Sequence, residues 1–141
     1  MNMNNEKINW EDIFQMICAT AIIITCILHC TPSYSQTSDQ VRKELHRQQV
    51  PHANIVLAQA RLETGNFTSN RCKRDHNLFG IKHNGRYARY RTWQDSVADY
   101  KKRISSRYKG GNYYSFLKRI GYASDAKYNN KLQKIIRTSK Q

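Results

Sequence analysis

A single carboxylic acid at a predicted helix end is the residue in this chain best placed for acid chemistry. Glu63 closes a segment of helical apolar spacing, and Gly65 follows it, as is typical just beyond a helix. In the last turn of a helix the macrodipole presents negative partial charge, which raises the pKa of a carboxyl group. Partial burial against Leu62 and Phe79 would raise the pKa further. A carboxyl group that keeps its proton near neutral pH can act as a general acid.

Acidic residues are scarce in the part of the chain that follows residue 35. The acids found there are Asp39, Glu44, Glu63, Asp75, Asp95, Asp99 and Asp125. In so basic a sequence, an acid near a cleft is conspicuous. The structural alternative for Glu63 is a surface position paired with Arg61 or Lys82.

Two further acids have structural interpretations of their own. Asp99 can pair with Lys102 and Arg103 at i+3 and i+4 on a helix. Asp95 stands three residues after Thr92, which fits a helix capping box. Ion pairing is the preferred interpretation of Asp99 and helix capping that of Asp95, with a catalytic role as the alternative for each.

Aromatic residues are numerous for a chain of this length. Helical spacing places three of them in the core: Trp93, Tyr100 and Tyr128. Three others lie off these apolar stripes: Tyr87, Tyr90 and Tyr122. Because sugar rings stack on aromatic faces, this second group indicates a groove suited to a glycan.

The elements that position these residues are mostly helices. Apolar residues recur at helical spacing, which predicts helices over 37–49 capped by Ser38, over 52–63, from Thr92 to Tyr108, between Asn112 and Gly121, and from a Ser124 cap onward. Residues 66–76 are polar and basic and are interpreted as a loop.

One short hairpin is predicted between the second and third helices. Asn84-Gly85 is the strongest two-residue hairpin signal, and it lies within 78–90. The hairpin and the end of the second helix would form two walls of a groove. The predicted fold class is therefore α+β, mainly helical, with a lysozyme-like domain and one short β-hairpin.

The chain is strongly basic, with a formal net charge of +14 over 141 residues. Residues 1–35 hold one lysine and three acids, so the part from residue 36 carries +16. Such a charge favours acidic partners, which include nucleic acid, anionic lipids and anionic cell-wall polymers. Residues 1–35 have the character of an export segment, which favours the envelope polymers. The chain also lacks a basic recognition helix, so no specific nucleic-acid partner is expected.

Residues 16–30 form an uncharged, largely apolar run. About 15 residues suit the hydrophobic region of a signal peptide better than a membrane span, which needs roughly 20. Residues 33–35 offer a small-x-small cleavage site. The segment before the run is not positively charged, so a retained membrane anchor is the alternative. The expected organisation is a signal peptide or anchor over 1–35 and one exported domain over 36–141, located in the periplasm, cell envelope or medium.

The cysteines do not predict a disulfide framework. Cys18, Cys26 and Cys30 lie in the export segment, and Cys72 alone remains after it. Cys72, His76 and His83 match no standard zinc spacing. We expect neither a metal nor a cofactor.

Four segments resemble the glucosaminidase domain of glycoside hydrolase family 73, a group of peptidoglycan hydrolases that includes flagellar rod-cap hydrolases and autolysins. They occur in family order between residue 51 and about residue 137: 57–65 (LAQARLETG), 77–82 (NLFGIK), 90–100 (YRTWQDSVADY) and 113–123 (YYSFLKRIGYA). Together the four segments are strongly specific.

The resemblance implies a lysozyme-like fold and hydrolysis of the β-1,4 bond after N-acetylglucosamine in peptidoglycan. Glu63 matches the family's general acid. Asp99 matches a position implicated in some members, and Tyr122 matches a tyrosine thought to orient substrate or the developing charge.

Substrate contacts and partners are expected from the second segment, from the hairpin aromatics and from the charge. Asn77 and Phe79 of the second segment, with Tyr87 and Tyr90, are expected to contact peptidoglycan glycan strands. Anionic cell-envelope polymers are expected to attract the basic surface, and the protein is expected to act as a monomer.

The chain departs from the family at the hairpin. Many members carry a second acid there, whereas residues 82–86 contain none. Asp99 or Asp75 can serve as the base, the 2-acetamido group of the substrate can act as the nucleophile, or the 66–76 segment can admit water without a dedicated base.

The missing hairpin acid also leaves room for a non-catalytic module that binds glycan without cutting it. The presence of Glu63 favours the enzyme, because an inert descendant has no need of that residue.

Overall fold

The protein is described by a computed structural model over residues 36–139. The predicted export segment, residues 1–35, lies outside the described residues. Within 36–139 no helix combines the length and hydrophobicity needed to cross a membrane. The fold described here is that of the domain expected from residue 36 onward.

Residues 36–139 form helices and one small hairpin. In order the elements are α1 (Ser38–Arg47), α2 (Ala53–Thr64), α3 (Asn70–Asp75), β1 (Lys82–His83), β2 (Arg86–Tyr87), α4 (Trp93–Arg103), a 3-10 turn (Ser105–Arg107), α5 (Tyr113–Arg119) and α6 (Tyr128–Thr138). The strands are antiparallel, with Lys82 opposite Tyr87. The predicted mainly helical α+β, lysozyme-like fold is confirmed.

Strong local signals lie where the sequence places them. Asn84 and Gly85 have φ angles of 50° and 78°, the left-handed conformation that a two-residue type I′ turn requires at both positions. Thr92 and Asp95 form the predicted capping box at the start of α4. Local chemistry therefore fixes the hairpin turn and the start of α4.

Two predicted helix caps are wrong. Thr37, and not Ser38, caps α1, because Gln40 can complete a capping box with Thr37 through hydrogen bonds of 2.9 and 3.2 Å. Ser124 does not cap α6, which begins at Tyr128 without a side-chain cap.

Two predicted extents are also wrong. The 66–76 segment contains α3, since Ser69 caps it by accepting a 3.2 Å hydrogen bond from the Cys72 amide, and Cys72 is completely buried. The third predicted helix reaches only Arg103, where the chain tightens into the 3-10 turn. Tyr108 lies beyond this helix end. It still fits the apolar spacing of the predicted helix because its side chain packs against the core.

The core is centred on α2, which packs against both α1 and α6. Val56 and Ala60 of α2 are completely buried, as are Val41 and Leu45 of α1 and Leu132 of α6. Full burial of a side chain such as Leu132 contributes about 1.5–3 kcal/mol. The helix that delivers Glu63 is thus held firmly along its length.

Candidate active site

Glu63 occupies the penultimate position of α2, where the sequence predicts it. Gly65 ends the helix in the left-handed conformation, with φ 57°, and glycine adopts that conformation without a Cβ penalty. The Asn66 amide then donates a 2.7 Å hydrogen bond to the Arg61 carbonyl. This tight ending places the Glu63 carboxylate at the exit of the central helix.

The two carboxyl oxygens of Glu63 face different neighbours. Oε1 accepts a 3.0 Å hydrogen bond from the Tyr128 hydroxyl. Oε2 lies 3.3 Å from the point that a Cβ on Gly80 would occupy. Gly80 has φ +62° and no side chain, so its backbone lies beside Oε2 without the Cβ that would crowd this oxygen.

The surroundings of Glu63 favour a protonated carboxyl group. Glu63 is exposed as a residue, yet its carboxyl group is crowded by protein atoms, and this burial raises its pKa more than the Tyr128 hydrogen bond lowers it. Among residues 36–139 no cation lies within ion-pair distance of Glu63. Arg61, the alternative partner, binds the Asn66 side chain at 2.8 Å.

A buried chain of polar groups stands behind Glu63. The Tyr128 hydroxyl accepts a 3.4 Å hydrogen bond from Gln59 Nε2, and the Tyr100 hydroxyl donates to Gln59 Oε1 at 2.7 Å. The Tyr113 hydroxyl lies 3.1 Å from that of Tyr100. This series of hydrogen bonds fixes the Tyr128 hydroxyl, and so orients the carboxyl group of Glu63.

Helical spacing predicts Tyr128 in the core, and its exposure of 8 % confirms this. The spacing does not predict its contact with Glu63. The available signal was the residue type. A tyrosine on a buried stripe needs a partner for its hydroxyl, where phenylalanine or leucine needs none.

The second wall of the site depends on Asn77. Its amide nitrogen donates to the carbonyls of Ile81 and Ala88 at 2.8 and 3.0 Å, and its oxygen accepts from the Ile81 amide at 3.0 Å. Asn77 is only 2 % exposed. The structure gives it the task of closing the base of the hairpin, and its contact with substrate stays a prediction.

Phe79 and Tyr122 join this wall to the core. The Tyr122 hydroxyl donates to the Phe79 carbonyl at 3.0 Å, and the Phe79 ring packs against Tyr100 with centroids 4.3 Å apart. The Phe79 side chain is buried. Burial raises the pKa of Tyr122, and the nearby Tyr128 and Glu63 add to the effect, so Tyr122 is a neutral hydroxyl group close to Glu63.

The two hairpin tyrosines differ in exposure. Tyr87 is 43 % exposed, and its ring approaches within 4.0 Å of the point that a Gly80 Cβ would occupy. Tyr90 is half-buried, and its hydroxyl donates to Asp99 at 2.9 Å. Tyr87 therefore borders the space before Glu63, whereas Tyr90 holds the hairpin to α4.

Asp99 is bound on all sides. Its Oδ2 contacts His83 Nε2 at 2.8 Å and accepts from the Tyr90 hydroxyl, and Arg103 Nε donates to Oδ1 at 2.8 Å. Burial alone would raise its pKa, but the hydrogen bonds from His83, Tyr90 and Arg103 outweigh it and lower the pKa. The predicted pairing with Arg103 is confirmed. No hydrogen bond from Lys102 to Asp99 is found among the described side chains.

Asp75, the other candidate base, is also paired. It is 3 % exposed, and its carboxylate meets Arg74 at 2.9 Å and Arg89 at 3.1 Å. The Arg74 hydrogen bond is the main reason that its pKa is lowered.

The thiol and imidazoles considered for a metal are separate from one another. Burial raises the pKa of Cys72 to about 11, which disfavours the thiolate needed for ligation. His76 Nδ1 lies 3.0 Å from the Tyr90 carbonyl, while His83 contacts Asp99. Over residues 36–139 no group of three metal-ligating side chains comes together.

Comparison with known families gives one match. Residues 38–141 match the family model Glucosaminidase, described as mannosyl-glycoprotein endo-beta-N-acetylglucosaminidase. Comparisons with curated proteins and with solved structures gave no significant match.

Proposed function

Because this chain belongs to the glucosaminidase family of glycoside hydrolases, we propose that it cleaves the β-1,4 bond after N-acetylglucosamine in peptidoglycan, with Glu63 as general acid. One observation carries the assignment of the acid. The Glu63 carboxyl group lies between the Tyr128 hydroxyl and Gly80, which has no side chain, and burial raises its pKa.

The geometry gives the two oxygens of Glu63 separate roles. Oε1 is occupied as the acceptor of the Tyr128 hydrogen bond. Oε2 therefore carries the proton and faces the space left by Gly80. A glycosidic oxygen in that space would receive the proton as the bond to the sugar breaks, which is the role of the acid in glycosidases.

The second catalytic group, which acts together with the general acid, is best supplied by the substrate. Asp75 and Asp99 are both ion-paired and have lowered pKa values, so they are weak bases. The 66–76 segment, the third option, contains α3 and is therefore not a simple loop. We propose that the 2-acetamido group attacks the anomeric carbon as Glu63 protonates the leaving oxygen, a known exception to the two-carboxylate scheme.

This choice predicts the stereochemistry of the product. Participation of the acetamido group retains the β anomer, whereas attack by water activated by Asp99 or Asp75 gives the α anomer first. Proton NMR of the earliest product distinguishes the two, and an α product would overturn substrate participation.

Glycan contacts are proposed for the groups that border Glu63. Tyr87 is exposed and borders Glu63, so a sugar can contact the part of its ring that Arg71 leaves uncovered, while Tyr122 places a neutral hydroxyl group near the reacting carbon. Asn77, Phe79 and Tyr90 support the wall, and direct contact from them is part of the proposal.

Location and partners follow from the sequence. We propose that residues 1–35 export or anchor the protein, so that the domain acts in the periplasm, cell envelope or medium. The net charge of +14 would hold it near anionic envelope polymers, where it acts as a monomer.

The test is digestion of purified peptidoglycan by the full chain, with the new reducing ends identified by mass spectrometry. Reducing-end N-acetylglucosamine supports the proposed bond, and reducing-end N-acetylmuramic acid contradicts it. Glycan binding without cleavage would favour the alternative, a binding module. The ion-paired state of both candidate bases is the observation that favours that alternative.

A further inference from the structure

An exposed aromatic ring on the hairpin is flanked by two cations. The Arg71 guanidinium carbon lies 3.5 Å from the centroid of the Tyr87 ring, and Lys82 Nζ lies 4.6 Å from it. Arg71 comes from α3, Lys82 from β1 and Tyr87 from β2. These three residues form what we call the cation–tyrosine cluster.

The cluster borders the proposed acid. Tyr87 Cε1 and Glu63 Oε2 lie 4.0 and 3.3 Å from the same point, the position of a Cβ on Gly80. A sugar ring in front of Glu63 Oε2 would therefore have the Tyr87 ring beside it, with Arg71 and Lys82 around that ring.

The two cations have no acidic partner in the described structure. Neither Arg71 nor Lys82 lies within 4.0 Å of a carboxylate of residues 36–139. Asp75 is the acid whose pKa Arg71 affects, but its ion pairs are with Arg74 and Arg89. The charges of the cluster are thus available to a ligand.

The stacked arrangement suits recognition of an anion. A guanidinium that lies over an aromatic ring keeps its N–H donors in its own plane, where they can bind a carboxylate. Stacking also restricts the side chain in advance, which lowers the entropy lost on binding. Donors for a negative substituent then lie against the tyrosine ring that borders the proposed acid.

We propose that the cation–tyrosine cluster binds a carboxylate that the glycan carries beside the scissile bond. The inference rests on the proposed function and narrows its substrate class to glycans with acidic substituents. In peptidoglycan the carboxylate can belong to the lactyl ether of muramic acid or to a stem peptide attached to it.

The test measures binding in the Glu63→Gln background of the full chain, so that it does not depend on hydrolysis. The ligands are glycan strands stripped of peptides, which present the lactyl carboxylate, strands that keep their stems, and neutral N-acetylglucosamine oligomers of equal length. Arg71→Gln and Lys82→Gln are compared with Lys73→Gln, which removes the same charge from an exposed position of α3.

We expect Arg71→Gln and Lys82→Gln each to weaken binding of acidic strands by about three- to tenfold, in the range of one exposed charge-assisted contact. Binding of the neutral oligomer and the Lys73→Gln control should stay unchanged. Whichever acidic strand shows the selective loss identifies the source of the carboxylate.

Equal loss on neutral and acidic ligands, or no loss on either acidic strand, would overturn the inference. Its failure is distinct from failure of the proposed function. Cleavage of peptidoglycan by the wild type with no selective role for the cluster refutes the inference alone. Selective binding without any cleavage refutes the enzyme and leaves the inference standing.

Discussion

The Tyr128 hydroxyl donates a hydrogen bond to Glu63 Oε1 at 3.0 Å, linking the first turn of α6 to the last turn of α2. Because Tyr128 is also bonded to the buried Gln59 side chain, its hydroxyl has one fixed direction. The carboxyl group is thereby held in place through Oε1, while Oε2 accepts no hydrogen bond from a side chain of residues 36–139.

Tyr128→Phe should move the pH dependence of hydrolysis. Burial raises the pKa of Glu63 and the Tyr128 hydrogen bond lowers it, so removal of the hydroxyl raises the pKa further. A general acid loses activity as pH rises through its pKa, so the alkaline limb of the kcat profile should move to higher pH.

The same variant should lose about 1–3 kcal/mol of stability, since Gln59 Nε2 is left without a partner in the core. Tyr114→Phe is the control, because the Tyr114 hydroxyl makes no hydrogen bond to a described residue. An alkaline limb that stays in place or moves to lower pH would refute the role given to Tyr128.

Gly80→Ala should abolish most activity. The new Cβ would meet Glu63 Oε2 at 3.3 Å and Tyr87 at 4.0 Å, filling the space in which the glycosidic oxygen is expected. We expect a loss of tenfold or more in kcat/KM and, because φ is +62°, a stability loss of about 1 kcal/mol.

Gly85→Ala separates the loss of activity from the loss of stability. Gly85 also has a positive φ, +78°, but a Cβ there meets nothing within 4 Å. This variant should lose comparable stability and keep its activity. Similar activity of the two variants would show that the space at Gly80 is not used by the substrate.

Asn77→Ala should be the most destabilising of these changes. The side chain satisfies backbone groups of Ile81 and Ala88 in a site that is 2 % exposed, and truncation leaves several of them unpaired. We expect a loss of about 2–4 kcal/mol in denaturant unfolding. Asn129→Ala, which removes a single 3.1 Å bond to the Tyr114 carbonyl, should cost about 1 kcal/mol, and an equal cost for both would argue against the hairpin role of Asn77.

Local signals predicted much of this fold. Asn84-Gly85 carries its own turn geometry, and Thr92 with Asp95 carries its own cap, so neither needs the rest of the chain. The loop predicted for residues 66–76 is wrong because the helix there is short and basic and is stabilised by burial of Cys72, which is a tertiary contact.

The site was predictable only in part, for the same reason. The position of Glu63 follows from helix periodicity and Gly65. The contacts of Asp99 with His83 and Tyr90 form only when the hairpin folds back on α4. Of its three partners, helical spacing predicts only Arg103. The hydroxyl of Tyr128 likewise meets Glu63 across 65 residues of sequence.

Asp99→Asn should reduce stability at neutral pH by about 1–2 kcal/mol, because it weakens contacts to His83 and Arg103 that are partly open to solvent. The folded-state pKa of Asp99 is lowered, so its contribution is complete above the unfolded pKa of about 3.9 and is lost as pH falls through the folded value.

The free energies of unfolding of the wild type and of Asp99→Asn should therefore differ at pH 7. The difference should begin to shrink below about pH 4. Asp39→Asn, at an exposed position outside any described ion pair, is the control. A stability gap for Asp99→Asn that is constant with pH would contradict the ionic clamp. A folded Asp99→Asn protein without hydrolysis would instead assign Asp99 the role of base.

The most direct test is the rate of peptidoglycan hydrolysis by Glu63→Gln and Glu44→Gln, measured side by side in folded full-length protein. Glu44 is the matched glutamate, because Arg47 and Gln48 bind it and lower its pKa. We predict a loss of 100-fold or more, about the contribution of a general acid, for Glu63→Gln, with glycan binding intact and Glu44→Gln near the wild-type rate. Hydrolysis by Glu63→Gln at the rate of Glu44→Gln would contradict the assignment of Glu63 as the acid.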